Sequence, residues 1–438
     1  MSDNAEISPA PPATDISGLA EHLFRHEAGR LTSVLTSIFG MERLQMAEDV
    51  VQEALIKALK TWPYYGVPKN PAAWLTQTAK NLALDLVRRE KNFQDKQPQI
   101  VAFMEGWTTD ADDPDSHEHE IKDERLRLMF ACCHPEIPAD AQIALALKTL
   151  CGFSPAEIAK AFLSSEAAIA KRLVRARQRI RELNIQFEIP TGEASTARLE
   201  SVMQTLYLLF NEGYKASSGE SLIREELCRE AIRLTTLLAA HPIGNQPRVH
   251  ALAALMCLNA ARLKARMDTE GNILLLKDQD RSLWDKALVA RGIMHLSRSA
   301  MGEELTEYHL QAGIAACHGT AKDYQSTDWV QILSLYDRLI EFDDSPVVAL
   351  NRAVALANVQ GPDAGIAALD AIRNRQPLDS YYLFYAVRAD FEVQLNRFQA
   401  AGEQLRKALE LTEVKSEQSL LSRRLQECEQ QRAITSNS

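Results

Sequence analysis

Apolar residues recur along most of this chain at spacings of three and four, the mark of helices with one buried stripe. In "AEDVVQEALIKALKTW", Val50, Val51, Ala54, Leu55, Ala58 and Leu59 share such a stripe. Alternating Val/Ile/Thr runs joined by Asn-Gly turns, the signal of hairpins, are nearly missing. The pattern predicts an all-α fold, and its interruptions predict four blocks behind a polar tail. Residues 1–15 are polar and proline-containing and read as disordered. Residues 16–92 form a compact helical block, and 93–124 an acidic linker with few large apolar residues. Residues 125–184 form a second small helical block. After a break at "IPTGEAS", residues 196–432 form a large helical domain rich in Ala and Leu.

Punctuation within the two small blocks is specific. Asn70 before Pro71 reads as an N-cap followed by proline at the first helical position, where its missing N–H costs nothing. The helix that follows turns Trp74, Leu75, Thr78, Leu82 and Leu86 inward and becomes basic toward Arg88 and Arg89. In the second block a helix runs from Ala139 to about Leu150. "SPAEIAKAF" then opens another, with Ser154 as N-cap, Pro155 first in the helix and Glu157 at the capping-box position. A turn at Leu163–Ser165 leads to a third helix from Glu166 through Arg181, with Ile169, Leu173 and Ala176 on its inner side and Lys171, Arg172, Arg175 and Arg179 outside. Two helices ending in a basic third predict a helix-turn-helix, whose last helix fits a major groove while its arginines hold phosphates.

The large domain carries a weak internal repeat. "NRFQAAGEQLRKALEL" places Phe398, Ala401, Leu405 and Ala408, and "GPDAGIAALDAI" places Ala364, Ala368 and Ala371, where small residues let helices approach closely. These are read as degenerate tetratricopeptide-like repeats, irregular in period and without the usual terminal proline.

Charge changes this picture locally. The chain of 438 residues has a net charge of −10, which argues against coating nucleic acid along its whole length. Yet "AIAKRLVRARQRIRELN" is densely basic, while Glu105–Glu124 carries nine acids against one lysine. No run approaches the ~18 apolar residues of a membrane span, and no signal segment opens the chain. A cytoplasmic protein with its seven cysteines reduced is expected.

Taken together, the two small blocks resemble an alternative bacterial RNA polymerase sigma factor of the extracytoplasmic-function type. "AEDVVQEALIKAL" resembles the core-polymerase-binding helix of that family. "NPAAWLTQTAKNLALDLVRRE" resembles its promoter-melting and minus-ten segment through Trp74-Leu75, Asn81, Asp85 and Arg88-Arg89. "FSPAEIAKAFLSSEAAIAKRLVRARQRIRE" resembles its minus-thirty-five helix-turn-helix. "RLMFACCHPEI", "LYLLFNEGY", "DQDRSLWD", "LQAGIAACHG" and "SPVVALNRAVALA" resemble a subgroup with a long tetratricopeptide-like C-terminal extension. The resemblance implies two partners, core RNA polymerase and promoter DNA, with a protein or small-molecule regulator at the extension, and no cofactor. Asp49, Gln52 and Glu53 would meet polymerase. Lys69, Asn70, Trp74 and Asn81 would hold an unstacked promoter base, and Arg88 and Arg89 the phosphates. Ser165, Glu166, Ala168, Lys171, Arg172 and Arg175 would enter the upstream major groove. The sequence departs from the family at Ala170, where a basic residue is frequent. Competing local readings stay open: a solvated helix face for Asp49 and Glu53, and an internal packing or capping network for Asn81 and Asp85.

Two other constellations invite chemistry. Cys132, Cys133, His134 and Cys151 could form a zinc or thiol site, but Leu128, Met129, Phe130 and Cys133 fall on one helical stripe that stops at Pro135, which favours a structural helix. His309, Cys317 and His318 invite a metal, and "KDQDRSLWDKAL" around Trp284 a ligand pocket; helix packing, caps and buried salt networks are the simpler readings. Nucleophile elbow, phosphate-binding glycine loop and HExxH are all missing, so no enzyme is expected. The rival function is a helix-turn-helix regulator with a repeat-type input domain, which would have no use for the first block. A metal- or thiol-dependent enzyme in the large domain is the weaker rival.

Overall fold

The computed structural model describes residues 27–89, 98, 124–162, 164–190, 192–214, 222–269, 272–412 and 414–436. The tail expected at 1–15 lies outside these residues, as does the acidic linker apart from residues 98 and 124. The described residues are helical, with no strand and a single isolated bridge, Met267 to Ile273. The chain divides into two compact units, Met1–Leu208 and Leu209–Ser438.

In the first unit, α1 (27–39), α2 (Leu44–Tyr65) and α3 (Pro71–Arg89) share one core. Leu31, Val34, Leu35 and Ile38 from α1 meet Val50, Val51, Ala54 and Ala58 from α2 and Leu75, Ala79 and Ala83 from α3. The alanines sit at spacings of four, and each methyl is buried where a longer side chain would hold the helices apart. Trp62 and Trp74 meet edge-on at 5.5 Å between ring centroids. Gly66, at φ +81°, ends α2 in a conformation that side chains with a Cβ rarely adopt, and its N–H closes on the Trp62 carbonyl at 2.9 Å.

Four helices follow in this unit: α4 (124–132), α5 (Ala139–Leu150), α6 (Pro155–Ala161) and α7 (Glu166–Glu182). The predicted stripe on α4 understates its burial. Residues 128–133 are all buried, so the second half of the helix is enclosed on every side, and every residue of α5 from Ala141 to Leu150 is buried too. Such enclosure is why the sequence there lacks a polar face. Polar groups inside find partners, as buried groups must: the Gln142 amide donates to the His134 and Ile137 carbonyls, and its oxygen accepts from Ser201 and Thr205. The last two lie on α8 (Glu193–Tyr214), a helix that runs through the division between the units.

The second unit continues with α9 (Leu222–Ala240), α10 (Pro247–Ala260) and α11 (Lys286–Ser299). α10 is buried nearly all round and packs against α9, α11 and α12 (Glu307–Thr320). Next come α13 (Trp329–Phe342), α14 (Pro346–Gln360), α15 (Pro362–Asp370), α16 (Gln376–Asp379), α17 (Tyr382–Gln394), α18 (Phe398–Glu410) and α19 (Lys415–Ser436). Their core is a succession of clusters that hand on from helix to helix. The first joins α12, α13 and α14, the second α14 to α17, and the third α17, α18 and α19. Each cluster is anchored by neighbours in sequence, as in quasi-linear helical stacks.

Candidate nucleic-acid interface

The helix-turn-helix closes as its sequence predicts. The Glu157 carboxylate accepts the Ser154 N–H at 2.7 Å and the Ser154 hydroxyl accepts the Glu157 N–H at 3.2 Å, a reciprocal box at the start of α6. Ser165 caps α7 by accepting the Ala168 N–H at 3.2 Å. Ile169, Leu173, Ala176 and Ile180 are buried and hold α7 against α5 and α6. That anchoring decides what the other positions do. Glu166, Lys171 and Arg175 are exposed on the outer side, with Ala168 half-buried beside them. Arg172, a candidate groove contact, pairs with Asp140 of α5 at 3.0 Å.

On the first three helices, the Asn70 carboxamide accepts the Ala73 N–H at 3.0 Å and so caps α3. Lys69 and Asn70 are exposed in the loop before it, while Trp74 is half-buried against Trp62. Asn81 accepts from Gln77 at 3.1 Å, and Asp85 pairs with Arg88 at 3.6 Å; both are exposed, with partners on the same helix. Arg89 is the last residue of α3. Asp49 and Glu53 are exposed on α2 and Gln52 is half-buried. Sequence reasoning passed over Tyr64 and Tyr65, which end α2 directly before the Lys69–Asn70 loop and are 84% and 87% exposed. Two adjacent aromatics in water beside an amide-bearing loop offer π-faces on which bases stack. The signal was present in "YYGVPKN", since paired tyrosines before a Gly-x-Pro turn have no helix stripe to join.

A second feature passed over joins the two helix groups. Glu48, 3% exposed, accepts from Arg177 of α7, and Lys148 of α5 lies close enough to act on both. Burial pushes the Glu48 carboxyl up, and the nearby Arg177 and Lys148 charges oppose that push. Lys148 is pulled down by its own burial, against the Glu48 charge. Beside this pair, Gly29 of α1 sits so close to α5 that a Cβ there would lie 2.1 Å from the Leu150 carbonyl oxygen. Nothing in a row of arginines singles out Arg177 as the one turned inward.

The cysteine stretch is built as core. Cys132 lies 3.3 Å from the Thr149 hydroxyl, and burial raises the Cys132 and Cys133 thiols, the latter to about 12. They stay protonated, whereas metal ligation and nucleophilic attack use the thiolate. His134 accepts the Glu136 N–H at 3.2 Å. Elsewhere, His309 completes a capping box with Thr306, and the His318 ring meets Trp329 edge-on at 5.3 Å. Asp280 and Asp285, in the charged string around Trp284, cap the turns that follow them. Among the described residues no group of three or more His, Cys, Asp or Glu is placed to hold a metal, and no helix is long and apolar enough to cross a membrane.

Comparison with known proteins bears directly on these two helix groups. Residues 23–93 match Sigma-70 region 2, and residues 127–180 match Sigma-70, region 4. The chain belongs to the sigma-70 family. Sigma regions 2 and 4 in one chain are those of a sigma factor for transcription initiation, with core RNA polymerase and promoter DNA as the implied partners. A further stretch of this sigma factor is also recognisable: residues 198–300 match a family of unknown function (DUF6596). Two sigma regions followed by this segment are the organisation of a sigma factor like those of the extracytoplasmic-function type. An uncharacterised protein of Rhizobium meliloti (strain 1021) is 37% identical over 383 residues, covering 87% of this sigma factor and 90% of the relative. The likeness therefore extends well past the two sigma regions. No solved structure matches.

Proposed function

We propose that the chain is an alternative sigma factor that reads a minus-ten and a minus-thirty-five element and is modulated by its C-terminal helices, which act as a degenerate tetratricopeptide-like protein-binding or ligand-binding domain. The observation that carries this reading is a division of labour on α7: four buried apolar residues fix the helix, and the capped N-terminus and exposed Lys171 and Arg175 are left for DNA. In this reading Ser165, Glu166, Ala168, Lys171, Arg172 and Arg175 enter the upstream major groove, where an arginine on a guanine edge is worth about 1–3 kcal/mol of discrimination. Lys69, Asn70, Trp74 and Asn81 hold a base taken from the stack, and Arg88 and Arg89 neutralise phosphates. Asp49, Gln52 and Glu53 present acids and an amide to a basic surface of core polymerase, with the helix held down by its buried stripe.

The deciding experiment is transcription by purified core RNA polymerase with and without the protein on genomic fragments from its own organism. The expected result is initiation at discrete promoters that depends on the added chain. If no template gives chain-dependent starts while the protein still binds DNA, the rival helix-turn-helix regulator takes its place.

A further inference from the structure

A cleft of about 370 Å³ opens in the second unit between α9, the segment after α10 and the start of α11. That volume suits a small organic ligand. Four cationic side chains and two carboxylates line it, and the pairing among them is uneven. Glu225 is spent on Arg229 at 2.6 Å, and Asp285 accepts the Ala287 and Leu288 N–H groups as a helix cap. Arg233 is paired with Glu230 at 2.6 Å. Lys264 and Arg291 have no carboxylate partner among the described residues, and Arg291 touches the neutral Cys257 thiol. The same lining includes the apolar side chains Ile232, Leu263 and Leu288. Two exposed cations without carboxylate partners and three apolar side chains lining one cleft match a molecule with one charged end and one hydrocarbon body.

We propose that this cleft binds a small organic anion, a carboxylate or phosphate ester with an apolar body, with Lys264 and Arg291 taking the charge and Ile232, Leu263 and Leu288 covering the body. Binding itself stands on the geometry of this unit. Only its consequence, that occupancy is felt in transcription, rests on the proposed function.

The test is calorimetry of the full chain with four probes: octanoate, octyl phosphate, octanol and inorganic phosphate. One of the two amphiphilic anions should bind with a stoichiometry of one, and which of them binds more tightly separates a carboxylate from a phosphate source. Octanol and inorganic phosphate, each lacking one half of the requirement, should bind at least tenfold more weakly. K264Q and R291Q should each weaken the better anion about tenfold, as loss of a charge-assisted hydrogen bond does. A second readout needs no variant: the bound anion should slow acetylation of Lys264, followed by mass spectrometry. Absence of saturable binding by either anion, or binding that survives the double variant with Lys264 still unprotected, overturns the proposal. Because no step uses polymerase, failure here leaves the sigma reading standing, and failure of that reading leaves this site standing.

Discussion

Single residues decide most where a charge is buried or diverted. Arg172 is held by Asp140, so the proposed groove entry would exchange one partner for another. Arg172→Ala should weaken upstream-box binding by about 1–3 kcal/mol and relax one base position, as a footprint and selection on randomised boxes would reveal. Asp140→Asn, which frees the same guanidinium, should tighten binding to any DNA at low salt. Glu48→Ala leaves Arg177 without its buried partner and should cost on the order of 3–5 kcal/mol in urea unfolding. Acid sensitivity belongs to other residues. Burial, then the neighbouring His250 and the Arg298 and Arg291 charges, lowers His295 from 6.5 to about 4; burial between Arg262 and Arg281 lowers His318 to about 3. The unfolded chain therefore takes up these protons first. Stability contributed by the two neutral rings is complete above about pH 6.5 and drains away as pH falls toward 4. Melting temperature should drop across that window, and less so in His295→Gln. Only part of this was legible beforehand: helical spacing put Arg172, Arg175 and Arg179 on the outer side of α7, but nothing in the string singled out Arg177 for Glu48 or Arg172 for Asp140, because those partners come from other helices.

Elements were far more legible than residues. Asn70–Pro71 and Ser154–Pro155 with Glu157 mark two helix starts, and each cap is made by the side chain that its sequence position nominates; the cap at Ser165, read only as part of the turn, came from the structure. Local hydrogen bonds of this kind depend on three or four consecutive residues, so sequence carries them whole. Ser154→Ala should cost about 1 kcal/mol in a thermal melt, because the Glu157 N–H in the first turn of α6 loses its side-chain acceptor. The degree of burial was less legible. A stripe on α4 became a helix whose second half is enclosed on every side, since the residues that cover it come from elsewhere in the chain. Phe130→Ala should accordingly cost about 3–5 kcal/mol, the penalty of a cavity with no route to collapse. A loss below 1 kcal/mol would mean that α4 packs loosely.

At the scale of the whole molecule, α8 complicates the boundary read from "IPTGEAS". Ser201 and Thr205 lie beyond that break, yet they satisfy Gln142 within the first unit. A chain ending near Thr196 should therefore melt lower than one ending at Tyr214, and only the longer truncation is a fair test of the C-terminal helices. In that chain, transcription with core polymerase should change relative to full length; identical activity would remove the extension from regulation. The close seat of Gly29 on Leu150 and the Glu48–Arg177 pair keep the region 2 helices directly against the region 4 helices. Two promoter boxes about twenty-five base pairs apart stand on the order of 85 Å from each other along B-form DNA. The chain between Arg89 and Glu124 can span on the order of 110 Å at full stretch, enough to bridge that gap. In the proposed reading, grasping both boxes at once would mean parting Gly29 from its seat, and the free energy of that parting would be withheld from promoter affinity until polymerase supplied it.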